Sequence, residues 1–180
     1  VGHSFGGEVG LAVALRARVP LESLAIFEAP APGMLAVFGR LDRYAEFRAM
    51  TDSYIEDFRS GNAAAIESMI DFYGGPRTYE SWPPSVRSYA ATTTPTNILD
   101  WESAYAFEPS REALAEVTLP VLVAVGGNSH KAVAEANALL AEALARASFA
   151  TIPGASHFMT ATHPQAVADL IVRHVSGGPG

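Results

Sequence analysis

Apolar residues fall along this chain in two rhythms. Short unbroken runs occur at Ser23-Leu24-Ala25-Ile26-Phe27 and at Val121-Leu122-Val123-Ala124-Val125, closed by Glu28-Ala29-Pro30 and by Gly126-Gly127. Runs of this length without polar interruption predict strands covered on both faces, as in a parallel sheet. Ser148 to Ile152, ended by Pro153-Gly154, predicts a third strand. Elsewhere the apolar positions recur every three or four residues, the period of a helix with one buried face. Val9, Ala12, Val13 and Leu15 predict a helix from Glu8 to Arg18, stopped by Pro20. Val133, Ala136, Leu140 and Leu144 predict another from Lys131 to Ala147. Val167, Leu170, Ile171 and Val175 predict the last, from about Pro164, a favourable first-turn proline, to His174. Gly177-Gly178-Pro179-Gly180 reads as a loose tail over 177–180.

Strand–helix alternation at both ends implies an α/β protein with a parallel sheet flanked by helices. The middle does not alternate. Residues 34–48, 51–59, 62–73, 84–91 and 98–107 read as helices, broken at Gly61, Gly74-Gly75-Pro76 and Pro83-Pro84, with Thr92 to Thr96 as a polar loop. A helical block between two core strands is an insertion over one end of the sheet. The division expected is therefore a core made of 1–30 and 119–176, with a helical cap over 31–118.

Composition narrows the class. Of 180 residues 49% are apolar and 17% charged, which calls for much buried surface. The net charge of −7, with no lysine or arginine run, argues against a nucleic-acid surface. No apolar stretch is long enough to span a bilayer. The absence of cysteine removes disulfides, thiol nucleophiles and cysteine metal sites, and fits a cytoplasmic protein. No metal site, phosphate loop or cofactor fingerprint stands in the sequence, so the partner expected is a small-molecule substrate alone.

Chemistry enters at the first residues. Gly2-His3-Ser4-Phe5-Gly6 fits G-x-S-x-G, in which a serine occupies a strained turn between strand and helix. Such a serine projects Oγ into a site, and the backbone N–H of the next residue, Phe5, can face a developing oxyanion. Only Val1 and Gly2 precede His3, where a feeding strand is expected, so the chain reads as a fragment beginning at the elbow. A serine nucleophile needs a base and an acid to orient it. His157, in Pro153-Gly154-Ala155-Ser156-His157-Phe158, follows the third strand and a tight turn and is the candidate base. His3, His130, His163 and His174 read as structural. After the second strand stands Gly126-Gly127-Asn128-Ser129. Asn128 occupies an acid position but carries no charge, and an Asp-to-Asn exchange in a serine-protease triad costs about 10⁴ in rate. Glu28 ends the preceding strand, and neighbouring strands lie about 5 Å apart. A glutamate there reaches across the carboxyl edge toward His157, so Glu28 is the candidate acid and Asn128 the alternative position.

Taken together, these motifs resemble the α/β-hydrolase superfamily over nearly the whole chain. The resemblance rests on Gly2-His3-Ser4-Phe5-Gly6-Gly7, Ile26-Phe27-Glu28-Ala29-Pro30, Leu119-Pro120-Val121-Leu122-Val123 with Gly126-Gly127, and Pro153-Gly154-Ala155-Ser156-His157-Phe158, in that order. It implies a serine nucleophile after the family's fifth strand, a cap after the sixth and a histidine after the eighth. It also implies that five strands and a second oxyanion donor lie upstream of Val1, and that this piece alone is inactive. The family acid usually follows the seventh strand. Some members, haloalkane dehalogenases among them, carry it after the sixth, where Glu28 stands, although their nucleophile is aspartate. The function implied is a serine hydrolase of a small, fairly apolar ester, amide, lactone or C–C bonded substrate. A non-catalytic ligand-binding protein on the same fold, or a lyase, peroxidase or transferase using the same site, is the competing expectation. Tyr44, Phe47, Tyr54, Phe58, Phe72, Tyr73, Tyr79, Trp82 and Trp101 supply cap aromatics, expected mainly as packing with some facing the substrate.

Overall fold

Four short strands build one parallel sheet in the computed structural model, which describes residues 1–177, and the two central ones are wholly apolar. In sheet order, which is also chain order, they are β1 (Gly2–His3), β2 (Leu24–Phe27), β3 (Val121–Gly126) and β4 (Ala147–Ile152). The register pairs His3 with Phe27, Phe27 with Ala124, and Gly126 with Ile152. Alternate residues of the fully buried β2 and β3 feed two separate cores, as the two-residue period of a strand requires. Leu24, Ile26, Val121 and Val123 pack with the larger helical face, and Ala25, Phe27, Leu122 and Ala124 with Met159, Val167, Leu170 and Ile171 on the other.

Helices supply both layers. After β1 comes α1 (Phe5–Arg16), which ends at Ala17 in a left-handed conformation, a turn before Pro20. Between β2 and β3 lie α2 (Pro32–Val37), α3 (Leu41–Arg59), α4 (Ile66–Gly74), α5 (Thr78–Ser81), α6 (Pro84–Ala106) and α7 (Arg111–Ala115). After β3 come α8 (Lys131–Ala143), β4, α9 (Met159–Thr162) and α10 (Pro164–Val175). Past Gly177 the tail expected over 177–180 lies outside the described residues.

Two expectations about the inserted block are corrected. The break expected near residues 49–50 falls instead at Gly39, with φ of 71°, so 41–59 is one helix. Thr51, buried inside it, turns its hydroxyl to the Phe47 carbonyl at 3.0 Å and meets the Tyr105 hydroxyl at 2.9 Å. The loop expected at Thr92–Thr96 is likewise helical, and α6 runs through Pro95. Thr92, Thr93 and Thr94 donate their hydroxyls to carbonyls three or four residues back, at Tyr89 and Ala90. That internal bonding lets a threonine run sit in a helix instead of competing with it. The short helices α5, α7 and α9 are too brief to carry a period and were not expected from the sequence. Among the described residues no helix is long and apolar enough to cross a membrane.

One buried group has no partner. Glu8, on α1, is 3% exposed, and neither carboxylate oxygen has a hydrogen bond among the described residues. Burial alone pushes its carboxyl up to about 8 from 4.5. The native state therefore holds a proton that the unfolded chain has released, and stability falls as pH rises between those two values. No penalty exists below about 4.5, and it is complete above about 8. Glu8→Gln is expected to flatten this dependence and to stabilise most at alkaline pH, by at most on the order of 5 kcal/mol. Urea melts of both proteins between pH 4 and pH 9 check this; parallel curves would contradict it.

Candidate active site

The elbow is held by its backbone. Ser4 adopts φ of 54° and ψ of −132°, a conformation that a side-chain-bearing residue reaches only under constraint. The constraint is visible on both sides. Ser4 N–H donates to the Phe27 carbonyl of β2 at 2.9 Å, and Gly7 N–H donates to the Ser4 carbonyl at 2.8 Å. At Gly2 the turn closes so tightly that a Cβ would overlap the Gly6 carbonyl. The steric demand of the motif thus falls on Gly2, because a Cβ at Gly6 would meet no described atom within 4 Å.

Because all four strands run parallel, their carboxyl ends open on the same edge, and three candidate residues meet there. His157 Nε2 lies 3.0 Å from Ser4 Oγ, and His157 Nδ1 lies 2.9 Å from Glu28 Oε2. With Nδ1–H donating to the carboxylate, Nε2 is left to accept the serine hydroxyl proton. Glu28 is fully buried, at 0% exposure, and leaves β2 with φ of 48°. Its other oxygen accepts from Gly126 N–H at 2.7 Å and from the Ser129 hydroxyl. Asn128, the alternative acid position, turns elsewhere. It is exposed, its Nδ2 donates to the Gly154 carbonyl at 3.1 Å, and it makes no hydrogen bond to His157 among the described residues.

The imidazole is also held by its neighbours. His3 donates Nε2–H to the His157 carbonyl at 2.7 Å, and its ring lies 4.8 Å from that of His157. Burial, aided by the nearby His157, pushes the His3 pKa down, which favours the neutral ring that this bond uses. Tyr73 of α4 packs its ring 4.1 Å from His157. Phe5 opens α1, so its N–H has no partner one turn earlier in the helix, and the helix dipole adds positive potential at that end.

Above Ser4 and His157 lies a cavity of about 380 Å³, walled chiefly by α4 and α6. Of the aromatic residues expected in this segment, Tyr73, Trp82 and Trp101 line it, while Phe47 and Tyr54 are core. Sequence reasoning missed Ser129, Tyr73 as a ring on the histidine, and the polar residues Asn97 and Asp100 on the cavity wall. Ser129 follows the apolar strand by a few residues, but nothing local marks its partner. His130, read as structural, caps α8 by accepting from Ala132 N–H and stacks on Phe72 at 3.9 Å. Among the described residues no cluster of histidine and carboxylate is placed to hold a metal ion.

A parallel sheet, a strained serine at the first strand's exit and an apolar cavity over it define an α/β protein of hydrolase architecture. The Alpha/beta hydrolase family model matches residues 1–170, and the chain belongs to that family. Its fold is similar to that of an esterase from Exiguobacterium antarcticum, with a TM-score of 0.70, 19% identity, and 97% of this chain and 65% of that one covered. A bromoperoxidase from Bacillus anthracis gives a TM-score of 0.68 at 20% identity, over 97% of this chain and 66% of that one. The enol-lactonase from Burkholderia xenovorans LB400 gives 0.66 at 18%, over 97% and 64%. At such identities the likeness is one of fold. This chain spans 64% to 66% of the length of such solved structures. A search of curated proteins finds no match.

The hydrogen bonds assign different weights to the polar groups at this edge. Glu28→Gln is expected to lower kcat of the intact protein by about 10²–10⁴, on the scale of a triad acid. Asn128→Ala, which removes one neutral hydrogen bond, should cost less than about tenfold, and Ser129→Ala, which removes a bond to the carboxylate but leaves the Gly126 N–H on the same oxygen, should fall between the two. Steady-state kinetics on the three variants check the order; a loss in Asn128→Ala exceeding that in Glu28→Gln would reverse the assignment.

Proposed function

We propose that the chain carries the catalytic residues of a serine hydrolase acting on a small, fairly apolar ester, amide, lactone or C–C bonded substrate. The observation that carries this reading is the unbroken chain of hydrogen bonds from Glu28 through His157 to Ser4, ending at the floor of an apolar cavity. Ser4 Oγ attacks the substrate carbonyl while His157 Nε2 takes its proton. Glu28 holds the Nδ1–H tautomer and stabilises the imidazolium that forms. The carbonyl oxygen becomes an oxyanion facing the Phe5 N–H at the start of α1. Collapse of the tetrahedral intermediate expels the leaving group, which takes the proton from His157. Water, deprotonated by the same histidine, then releases the acyl group and restores Ser4.

Residues 31–118 serve in this reading as the cap, whose α4 and α6 shape the space above the nucleophile. The esterase and lactonase among the similar structures favour acyl chemistry, although their likeness to this chain is in fold. The intact protein is expected to react covalently with a fluorophosphonate probe and to hydrolyse 4-nitrophenyl esters. Ser4→Ala should abolish labelling and lower kcat by at least about 10³, leaving the melting temperature little changed. Near wild-type turnover in Ser4→Ala, or absence of labelling in the parent, would overturn the proposal.

A further inference from the structure

The cavity is not uniformly apolar. Its floor carries His3, Ser4 and His157, and its far wall carries one carboxylate, Asp100. Asp100 lies on α6 three residues after Asn97 and directly before Trp101, so these side chains share the face that lines the cavity. Asn97 Oδ1 accepts the Tyr54 hydroxyl at 3.1 Å, and the Thr93 hydroxyl donates back to its own helix. Asp100 takes part in no salt bridge among the described residues. Desolvation is the cause that raises its carboxyl pKa, with no cation acting against it. No lysine or arginine lines the cavity among the described residues, whereas Tyr73, Trp82, Tyr89 and Trp101 do.

A partly desolvated carboxylate set among aromatic rings, with no protein cation beside it, is a receptor for an organic ammonium group. The carboxylate supplies a charge-assisted hydrogen bond, and the ring faces add attraction to the same cation. A hydroxyl would satisfy the first interaction but gain little from the second. The chain's net charge of −7 also favours the approach of cations over anions.

We infer that the preferred substrates carry an ammonium group on an apolar body, with Asp100 as the specificity-determining residue that receives it while the acyl carbon sits at Ser4. This inference rests on the hydrolase reading for the second half of that statement but not for the first.

The test titrates the intact protein with hexylammonium and with hexan-1-ol by isothermal titration calorimetry. Hexylammonium is expected to bind about tenfold tighter, the combined scale of a half-exposed ion pair and a cation–π contact. Asp100→Asn, its fold checked by circular dichroism, should bring the ratio of the two affinities to about one. The ratio of kcat/KM for 4-nitrophenyl 6-aminohexanoate over the heptanoate should change in parallel. Equal binding of the two ligands, or a preference that survives Asp100→Asn, overturns the inference. The titration needs no turnover and can be repeated in Ser4→Ala. A protein that prefers hexylammonium yet hydrolyses neither ester would refute the hydrolase reading while leaving the ammonium site standing.

Discussion

A carboxylate with no access to solvent must be fully hydrogen-bonded or it will not stay charged, and Glu28 meets that demand at the point where three segments converge. Its oxygens accept from Gly126 at the end of β3, from Ser129 just beyond, and from His157 on the loop after β4. Each partner is about 100 or more residues away in sequence, so the bonds exist only when the parallel sheet has formed in register. The register does its part by setting Phe27 beside Ala124 and Gly126 beside Ile152. Gly126 then allows the loop after β4 to approach, since a Cβ there would overlap the Ala155 carbonyl. The position of the imidazole over Ser4 is thus a consequence of satisfying one buried charge.

Glu8 shows the opposite outcome for the same residue type. Both glutamates are buried, but Glu8 has no donor among the described residues and keeps its proton to about pH 8. The contrast separates burial from function: a buried carboxylate orients a histidine only where neighbouring donors hold it. Asn128, after β3, pins the turn at Gly154 by donating its amide N–H to that carbonyl, a bond that an ionised acid at the same position could not make.

The two central strands were legible because nothing but apolar residues fits a strand covered on both faces, and the chain punctuates each run with glycine, proline or an acid. For the same reason Glu28 stood out, as a charge at the end of an apolar run, and Ser4 and His157 were marked by their turn residues. What the sequence could not disclose depends on segments meeting across the fold. Ser129 bonds a residue 101 positions away, and Tyr73 reaches His157 from a helix whose period explains only its own packing. Asp100 carries no local mark either, because its neighbours in sequence do not reveal which face of the helix lines the cavity. The helix through Thr92–Thr96 was misread for a local reason: threonine and proline favour turns, but here the hydroxyls bond within the helix and Pro95 faces outward.

The central claim is that Ser4, His157 and Glu28 act as one unit, and non-additivity tests it most directly. Residues that share one mechanism lose it together, so a second deletion costs little after the first. For the intact protein, kcat should be compared for Ser4→Ala, His157→Ala and the double variant on one activated ester. The account predicts that the double variant is no slower than the slower single variant, within about threefold. Losses that multiply across the two sites would contradict it, because two independent groups, and not one relay, would then be carrying the reaction.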